Sequence, residues 1–372
     1  MRRTSRTSKN GFTFIEMMVS LALGLVVMAA AVRLFSSGMG ATFAVSQKAQ
    51  MQQDARAAED MLIKDINLAG AGFQTGAGLP SGTTFNPSYG CDQTPTCYLG
   101  PSSSAALVFP GNYLYPIQPG YQKGITLNAT QGPSDVITLT YTDTTLPVNC
   151  YDVKFNNTSG TSVNFTFDAA LAGCSKSSTP VLTDQALGLT AGDLLLFTNT
   201  AGNIAVAEVT NATGTTSPFA VTFANPDVMN MNQPSASGGD LATLAANAGA
   251  TANAVRIVVN TYFLSVLADP NGGTGTPRLM RQVSGHTPVP LAENVSFMQF
   301  TYDTYDNLGV LHTGLGDAGA SLGVSPSMIR KVNIAHMTVR SPIQGTNGYQ
   351  GFDVQTSVSA RNLSYSNRYV VQ

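Results

Sequence analysis

The chain has 372 residues, a formal net charge of −2 and charged side chains at only 11% of its positions. Its length allows one large domain or two small ones, with enough chain to bury a sizeable core. A net charge this close to zero produces no long-range field, which argues against nucleic-acid binding through a basic face. Because charged residues are scarce, Thr, Ser, Asn and Gly must provide most of the polar surface.

The N-terminus joins a basic tail to a long apolar run. Residues 1–10 contain four basic residues and no acidic one, whereas the run from 12 to 32 contains one charged residue, Glu16. About 20 apolar residues cross a bilayer as a helix, so this run predicts a transmembrane span. By the positive-inside rule, the tail stays in the cytoplasm and the chain after Arg33 lies across the membrane.

Two ordinary explanations of this segment remain open. A secretory signal peptide has a short apolar core followed by small residues at its cleavage site, and Ala29, Ala30 and Ala31 offer such a site. A plain membrane anchor is the other explanation. Neither accounts for Glu16, because a carboxylate inside an apolar span is costly to desolvate without a partner.

The order of Gly11, Phe12, Thr13 and Glu16 before the apolar run resembles the class III signal of type IV prepilins and type II secretion pseudopilins. This resemblance implies that a prepilin peptidase cleaves between Gly11 and Phe12 and N-methylates Phe12. It also implies that Glu16 guides docking into a filament. In a low-dielectric helix bundle, its carboxylate would pair with the Phe12 amine of a neighbouring subunit.

The predicted helix continues beyond the membrane-spanning run. Apolar residues recur at steps of three and four, which places them on one face of a helix. Gly70 and Gly72 are expected to end this helix, because glycine readily adopts the left-handed conformation after a last turn. We therefore predict one helix of roughly 55 to 60 residues, whose second half covers a folded domain. The apolar stripe consists of Met51, Ala55, Ala58, Leu62, Ile66 and Ala69.

The hydrophobic period changes to two after a segment rich in Gly, Pro, Ser and Asn, residues 73–120. This period predicts β-strands, and residues 199–203 are typical of a hairpin turn. A long helix followed by antiparallel strands predicts an α+β fold in which the helix packs on antiparallel sheets, as in pilins. The predicted strands are 135–141, 151–155, 162–167, 193–198, 204–209, 256–267, 278–283, 295–302, 329–339 and 352–358.

These patterns suggest a division of the chain into five segments. A composition rich in Asn, Ala, Ser and Gly from 225 to 252 predicts a flexible loop or short helix and a subdomain boundary. The segments are a leader peptide at 1–11, the transmembrane half of the helix at 12–35, its amphipathic half at 36–71, a β-rich subdomain with loops at 73–250 and a C-terminal antiparallel sheet at 255–372.

The four cysteines are Cys91, Cys97, Cys150 and Cys174, and they permit three pairings. If the chain after Arg33 lies outside the cytoplasm, these cysteines can form disulfides. We favour Cys91 with Cys97 and Cys150 with Cys174, because each pair closes a local loop bounded by turn residues. A zinc site is disfavoured, because neither pair has the short Cys-x-x-Cys spacing and no histidine is near.

A serine nucleophile is one alternative source of function. Residues 319–323 match the Gly-x-Ser-x-Gly pattern, with Ser321 in the position of the nucleophile. That pattern needs a strand before it and a helix after it, whereas this one lies in a glycine-rich loop followed by Pro326. We therefore expect no catalytic residue, and the membrane-tethered hydrolase stays a minor alternative.

Metal and cofactor sites are also not expected. Three histidines, His286, His312 and His336, are scattered over predicted loops and a strand. Oxygen ligands suited to calcium lie near one loop, but their spacing is not that of an EF-hand and turn chemistry explains them. These oxygen ligands are Asp303, Asp306, Asn307 and Asp317.

Segments later in the chain resemble the PilW family of minor pilins. The family implies a minor subunit near the pilus tip that primes assembly with other minor and major pilins and the inner-membrane assembly platform. Such a subunit is held in the bacterial inner membrane, with its N-terminus in the cytoplasm, before it joins a pilus on the cell surface. The smaller GspJ-like pseudopilins of type II secretion are the near alternative. The similar segments are 64–73, 192–197, 205–209, 279–281, 290–303, 329–340 and 360–363.

Overall fold

The chain forms two compact units, Met1–Gln52 and Gln53–Gln372. The first is helical, and the second combines the end of the same helix with antiparallel sheets, which confirms the predicted α+β fold class. The leader and most of the segment between 73 and 120 lie outside the described residues. The computed structural model describes residues 11–73, 79–80, 87–94, 96–99, 107–108, 113–171, 173–175, 181–184, 187–232, 240–245, 249–268, 275–341 and 351–366.

Helix α1 spans Phe14–Leu68. Within the second unit, the predicted apolar stripe is fully buried at Ala55, Ala58, Leu62 and Ile66. Small alanine side chains allow a helix to approach a sheet closely, while the larger Leu62 and Ile66 fill the space between them. Most of the polar side chains of this segment stay exposed, so from residue 53 onward the helix is amphipathic.

Glycines fix the chain where α1 ends. Gly70 and Gly72 both have φ of +79°, and the Gly70 amide donates to the Thr140 carbonyl at 2.8 Å. A Cβ atom on Gly72 would lie 2.0 Å from the Thr142 Oγ1 atom, so no larger residue fits there. From the far end of the chain, the Asn362 amide donates to carbonyls in the last turn of α1. This end is therefore capped by tertiary contacts as well as by glycine.

All of the predicted strands are present, with small differences at their ends. The first five strands have two to four residues each. They are β1 Leu79–Pro80, β2 Ser88–Tyr89, β3 Leu107–Val108, β4 Tyr113–Leu114 and β5 Ile117–Gly120. The next seven are β6 Val136–Asp143, β7 Tyr151–Phe155, β8 Ser162–Phe167, β9 Leu194–Thr198, β10 Ile204–Glu208, β11 Asn211–Thr213 and β12 Phe219–Thr222. The last seven are β13 Thr251–Leu267, β14 Thr276–Val283, β15 Val289–Glu293, β16 Val295–Tyr305, β17 Leu311–Leu315, β18 Ile329–Arg340 and β19 Gly351–Ser359.

Short helices complete the described elements. They are α2 Asp240–Leu244, α3 Arg361–Ser366 and single 3₁₀ turns at Val148–Cys150, Ala320–Leu322 and Pro326–Met328. Helix α2 lies in the segment for which the sequence predicts a loop or a short helix. Between β9 and β10, the Asn199 amide donates to the Asn203 carbonyl at 3.1 Å, which confirms the predicted hairpin turn.

Strand β13 organises the larger sheet. This sheet has 11 strands within the described residues, and β13 is hydrogen-bonded to β6, β7, β9 and β14 along its 17 residues. It therefore joins strands from before and after the segment 225–252, for which the sequence predicts a subdomain boundary. A second, four-stranded antiparallel sheet has the order β17-β16-β18-β19.

The core of the second unit includes two apolar clusters made of described residues. One contains edge-to-face aromatic pairs, including Phe197 with Phe223 at a centroid distance of 5.4 Å. The other lies on β6, β9, β10 and β13 and includes Leu194, Ile257 and Phe263. Each fully buried Leu, Ile or Phe side chain contributes roughly 1.5 to 3 kcal/mol of transfer free energy.

A buried carboxylate joins the end of α1 to the large sheet. Asp65 is 1% exposed, and one of its oxygens lies 3.1 Å from an Arg281 guanidinium nitrogen on β14. The Tyr262 hydroxyl and the Asn260 amide of β13 also donate to this carboxylate, the amide at 2.8 Å. The Tyr141 hydroxyl of β6 donates at 3.1 Å. Four donors from three strands thus satisfy one side chain of the helix.

Burial and the Asp65 charge both keep the surrounding tyrosines protonated. Burial first, and then this charge, raises the pKa of Tyr141 to about 12 and also raises the pKa of Tyr262. Burial alone would lower the pKa of Arg281, but the neighbouring Tyr262 and Asp65 outweigh it and raise that pKa. The network therefore pairs the Arg281 guanidinium with the Asp65 carboxylate and surrounds them with hydroxyl and amide donors.

We predict that Asp65→Ala lowers the free energy of unfolding by about 3 to 5 kcal/mol, because it leaves the Arg281 charge buried without its partner. The chain contains no tryptophan and 13 tyrosines, so near-ultraviolet circular dichroism of the full chain in detergent reports its tertiary structure.

The matched control is Glu293→Ala, which breaks the ion pair with Arg278 at a side chain that is 51% exposed. Exposed pairs of this kind contribute less than about 1 kcal/mol. Equal losses of stability in the two variants would contradict the role assigned to Asp65.

Candidate processing and assembly site

A reciprocal hydrogen-bond pair begins helix α1. The Thr13 amide and hydroxyl both donate to one Glu16 carboxylate oxygen at 3.0 Å. The Glu16 amide in turn donates to the Thr13 hydroxyl at 3.4 Å. This arrangement is a capping box, in which two otherwise unpaired helix donors are satisfied, and the negative charge also suits the positive end of the helix dipole.

The peptide bond between Gly11 and Phe12 lies just before this cap. Both residues are exposed and precede the helix, and Phe12 is 89% exposed. No atom outside the neighbouring residues lies within 4 Å of the position that a Cβ atom would occupy on Gly11. The predicted cleavage position is therefore open to an enzyme in the isolated chain. The basic residues of the tail lie outside the described residues.

The first part of α1 presents an uncovered apolar surface. Large apolar side chains from Phe12 to Val45 are 53 to 89% exposed. Two hydroxyls in this region bond to carbonyls of the helix itself: Ser20 donates to the Glu16 carbonyl at 2.6 Å, and Thr42 donates to the Gly38 carbonyl at 3.0 Å. Among the described residues, α1 is the one helix long and apolar enough to cross a membrane.

Comparison with known proteins identifies the same segment. Residues 6–32 match the family described as "Prokaryotic N-terminal methylation motif". No curated protein and no solved structure matches the chain. The match covers Gly11, Phe12, Thr13 and Glu16, together with the apolar residues that follow them.

The motif and the fold together define a class of protein. The chain carries a type IV pilin-like signal, followed by a long apolar helix and antiparallel sheets. This signal supports a type IV pilin-like protein or a pseudopilin, anchored in a membrane by its N-terminal helix. It implies processing by a prepilin peptidase and assembly with other pilin-like subunits.

The cysteines are paired in the second unit. Cys91 is bonded to Cys97, and Cys150 is bonded to Cys174, which is the pairing favoured from the sequence. The first bridge closes a loop around Asp92, whose carboxylate accepts hydrogen bonds from Thr94 and Tyr98. Despite partial burial, these donors lower the pKa of Asp92 to about 2.

Ser321 lies in an exposed 3₁₀ turn, Ala320–Leu322, with Gly319 and Gly323 in the left-handed conformation at its two ends. Asp317 caps this turn, because its carboxylate accepts the Ser321 amide at 2.9 Å and the Gly319 amide at 3.0 Å. No strand leads directly into this turn. The local structure is therefore not the strand-turn-helix in which a nucleophilic serine of this pattern is presented.

The structure does not bring the three histidines together. Each contacts a different carboxylate: His286 with Asp193, His312 with Asp306 and His336 with Asp353. The acidic residues considered for calcium are occupied by local donors, since Asp306 accepts the Leu308 and Val310 amides and Asp303 accepts the Gly314 amide. Within the described ranges, no group of three His, Cys, Asp or Glu residues could hold a metal ion.

Sequence reasoning missed a buried pair of acids, Glu208 and Asp227, that are hydrogen-bonded to each other. Glu208, at the end of β10, is fully buried and also accepts the Gln93 side-chain amide and the Met229 backbone amide, the latter at 2.7 Å. Asp227 accepts backbone amides at 2.6 and 2.8 Å. A single charge ending an otherwise apolar strand is the one sequence signal that could have indicated this pair.

Two carboxyl groups in contact in a buried site cannot both be ionised at low energy. Burial, and then the neighbouring Asp227, raises the pKa of Glu208 to about 8, while burial raises the pKa of Asp227. The raised pKa means that the folded protein binds more protons than the unfolded chain. The contribution of this acid pair to the free energy of unfolding therefore falls as the pH rises from about 4.5 to about 8.

We predict that Glu208→Gln removes this pH dependence, because an amide donates to Asp227 without titrating. The free energy of unfolding of the variant, relative to that of the wild type, should rise by at least about 1 kcal/mol between pH 5 and pH 8.5, given about 1.4 kcal/mol per pH unit for one proton. Thermal unfolding followed by tyrosine circular dichroism measures this difference.

Asp143→Asn provides the control. Hydrogen bonds from Thr145 and the Arg256 charge lower the pKa of Asp143 despite its burial. The contribution of Asp143 to the free energy of unfolding therefore changes only in more acidic solution. The control should therefore keep the wild-type slope between pH 5 and pH 8.5. Parallel curves for the wild type and Glu208→Gln would show that Glu208 does not hold a proton in the folded state.

Proposed function

We propose that the chain is a minor pilin, a subunit that helps to prime the assembly of a type IV pilus at its tip complex. The observation that carries this proposal is the methylation motif at residues 6–32, directly followed by an apolar helix surface that the chain leaves exposed. Such a surface is stable only in lipid or against neighbouring helices. A subunit that moves from the membrane into a filament needs a surface that is stable in both environments.

In this proposal a prepilin peptidase cleaves the Gly11–Phe12 bond and methylates the new N-terminus. The leader keeps the N-terminus in the cytoplasm, and the domain after Arg33 lies across the inner membrane. The two disulfides support this topology, because disulfides persist in oxidising compartments. After cleavage, assembly would carry the domain into a pilus on the cell surface.

Glu16 would then pair with the Phe12 amine of a neighbouring subunit. Before assembly, the capping box gives the Glu16 carboxylate donors within its own helix. These donors lower the free energy of keeping a carboxylate near the apolar interior while the subunit is in the membrane. The same carboxylate can accept a second, charged donor, because it has about four acceptor positions.

The apolar surface is suited to helix packing. Gly38 lies in a depression lined by Ala31, Phe35 and Thr42 on one face of α1. Small residues allow helices to approach closely where the surrounding medium is as apolar as the protein. Transfer of α1 from lipid to a helix bundle would therefore be nearly balanced in free energy, so that an assembly motor could drive it.

Within pilin-like proteins, we propose a relationship to the PilW family. It is supported by the order of the similar segments along the chain, several of which form strands: 205–209 overlaps β10, 290–303 overlaps β15 and β16, and 329–340 is β18. A GspJ-like pseudopilin of type II secretion is the alternative. Deletion of the gene distinguishes them: loss of surface pili supports the minor pilin, and loss of exoprotein release supports the pseudopilin.

We further propose that the chain acts by assembly and not by catalysis. Asp317 caps the turn that contains Ser321, and both the amide and the hydroxyl of Ser321 donate to it. This use of Asp317 explains the Gly-x-Ser-x-Gly pattern as turn chemistry.

We predict that the mature chain begins at Phe12 and carries one N-methyl group, which mass spectrometry of the purified protein would detect as N-methyl-phenylalanine. Gly11→Val should block cleavage and leave the tail attached. Gly24→Ala serves as the control, because Gly24 lies within the helix with open space around it, and this variant should be processed like the wild type.

A mature chain that begins at Met1, or after Ala31, would contradict the proposed processing. The first result would indicate a plain membrane anchor, and the second a secretory signal peptide.

A further inference from the structure

A polar cleft lies on the four-stranded sheet, away from the N-terminal motif in the sequence. Its volume is about 500 Å³, within the range of small-molecule sites. Among the described residues, β16, β18 and β19 provide most of the lining, and the loop before β6 provides one glutamine. The side chains that line it are Gln131, Phe297, Gln299, His336, Thr338 and Asp353.

The strand register brings these side chains onto one face. Phe297 on β16 is paired with Thr338 on β18, which is paired with Asp353 on β19. Next to this row, Gln299 is paired with His336. The ladder between β18 and β19 is irregular between Ile334 and Met337, and a bulge at such a place changes the direction of a side chain.

Hydrogen bonds hold the acidic side of the cleft in place. The Asp353 carboxylate lies 2.7 Å from the His336 Nδ1 atom and accepts the Thr338 hydroxyl at 3.2 Å. By contrast, the side-chain amides of Gln131 and Gln299 form no hydrogen bond with any described residue. The cleft therefore combines one fixed acceptor with two amides that are each able to donate and accept.

The charges of the cleft indicate what kind of ligand it suits. No lysine or arginine is among the lining residues that the structure describes, and these are the residues that most often bind phosphate. Its ionisable groups, His336 and Asp353, are already in contact with each other. An anion would find no free positive charge there, and a cation would have to displace His336 from the Asp353 carboxylate, whereas a neutral ligand with many hydroxyl or amide groups matches the free amides.

We propose that this cleft binds a neutral carbohydrate. Adjacent hydroxyl groups of a sugar ring can each bond to the amides of Gln131 and Gln299 and to the fixed Asp353 carboxylate. The Phe297 side chain also lines the cleft and is 8% exposed, so it offers a small apolar contact to the ring. The sugar could belong to an N-acetylated cell-wall glycan or to a glycan of plain hexoses.

Calorimetric titration of the full chain in detergent tests this proposal with three probes: a soluble β-1,4-linked N-acetylglucosamine oligomer, cellobiose and a neutral peptide of Gly, Ser and Asn. We expect saturable binding of at least one sugar, with a Kd of about 1 mM or tighter, equivalent to about −4 kcal/mol. A preference for the N-acetylated oligomer would indicate a cell-wall glycan, and a preference for cellobiose a hexose glycan.

Two variants test the site. Gln299→Ala removes a free amide and should weaken sugar binding at least about tenfold, or about 1.4 kcal/mol. Gly351→Val fills the cleft without removing a hydrogen bond, since a Cβ atom there lies no closer than 3.6 Å to its neighbours. It should abolish binding, while Gln122→Ala, an exposed glutamine outside the cleft, should not change it. Near-ultraviolet circular dichroism checks the fold of each variant.

The proposal is overturned if neither sugar binds at 20 times the expected Kd of about 1 mM, or if Gly351→Val binds the sugar as tightly as the wild type. Binding of the peptide alone would also overturn it, and would assign the cleft to an extended polypeptide instead.

Discussion

The apolar surface of the N-terminal helix is the constraint on which the rest of this protein depends. Between Phe12 and Val45 its large apolar side chains are 53 to 89% exposed. Burying each large apolar side chain contributes roughly 1.5 to 3 kcal/mol, so an uncovered helix of this kind cannot persist in water. Lipid must cover it before assembly, and neighbouring subunits must cover it afterwards.

A carboxylate within such a surface requires hydrogen-bond donors both in the membrane and in the assembled filament. The capping box supplies them inside the single chain, from the Thr13 amide and hydroxyl. Glu16 thus has a local structural role as well as the intersubunit role that its family resemblance implies. The two roles are compatible, because the first turn of the helix leaves further acceptor positions on the carboxylate.

The second unit also contains a carboxylate among apolar side chains, but there the donors come from the sheet. Its end of α1 buries small and medium apolar side chains, and Asp65 is the one acidic residue of the helix that enters the core with them. Donors from β6, β13 and β14 surround it. Removing one partner of such a network is costly even where the intact network adds little net stability, which makes Asp65 a residue that specifies how the helix meets the sheet.

Local patterns predicted α1 and the longer strands of this fold, but they missed the short strands β11, β12, β15 and β17. The strands around Val153 and Val163 alternate apolar and polar residues, and the helix stripe from Ala55 to Ile66 repeats at helical spacing. The start of β13 at Thr251 was missed because Thr, Ala and Asn there lack a strong apolar pattern, and pairing with β7 and β9 decides their conformation.

The motif at Gly11, Phe12 and Glu16 could be recognised because its residues are adjacent in the sequence. The network of Asp65, the acid pair of Glu208 and Asp227, and the polar cleft could not, because each joins residues separated by roughly 20 to more than 200 positions. No local period or spacing encodes such contacts. The capping box could have been predicted from the sequence, since Thr-x-x-Glu before an apolar run is its usual pattern.

The incorporation of Glu16→Gln subunits into filaments tests the central claim most directly. Glutamine keeps a capping box but removes the charge, so the variant separates the helix-capping role from the pairing with a neighbour's amine. The quantity to measure is the ratio of variant to wild-type subunit in sheared filaments, with membrane insertion and cleavage after Gly11 measured in the same cells. We expect normal insertion and cleavage, with filament incorporation reduced at least about tenfold, which corresponds to about 1.4 kcal/mol. Normal incorporation of Glu16→Gln would contradict it, because the carboxylate charge would then have no part in docking.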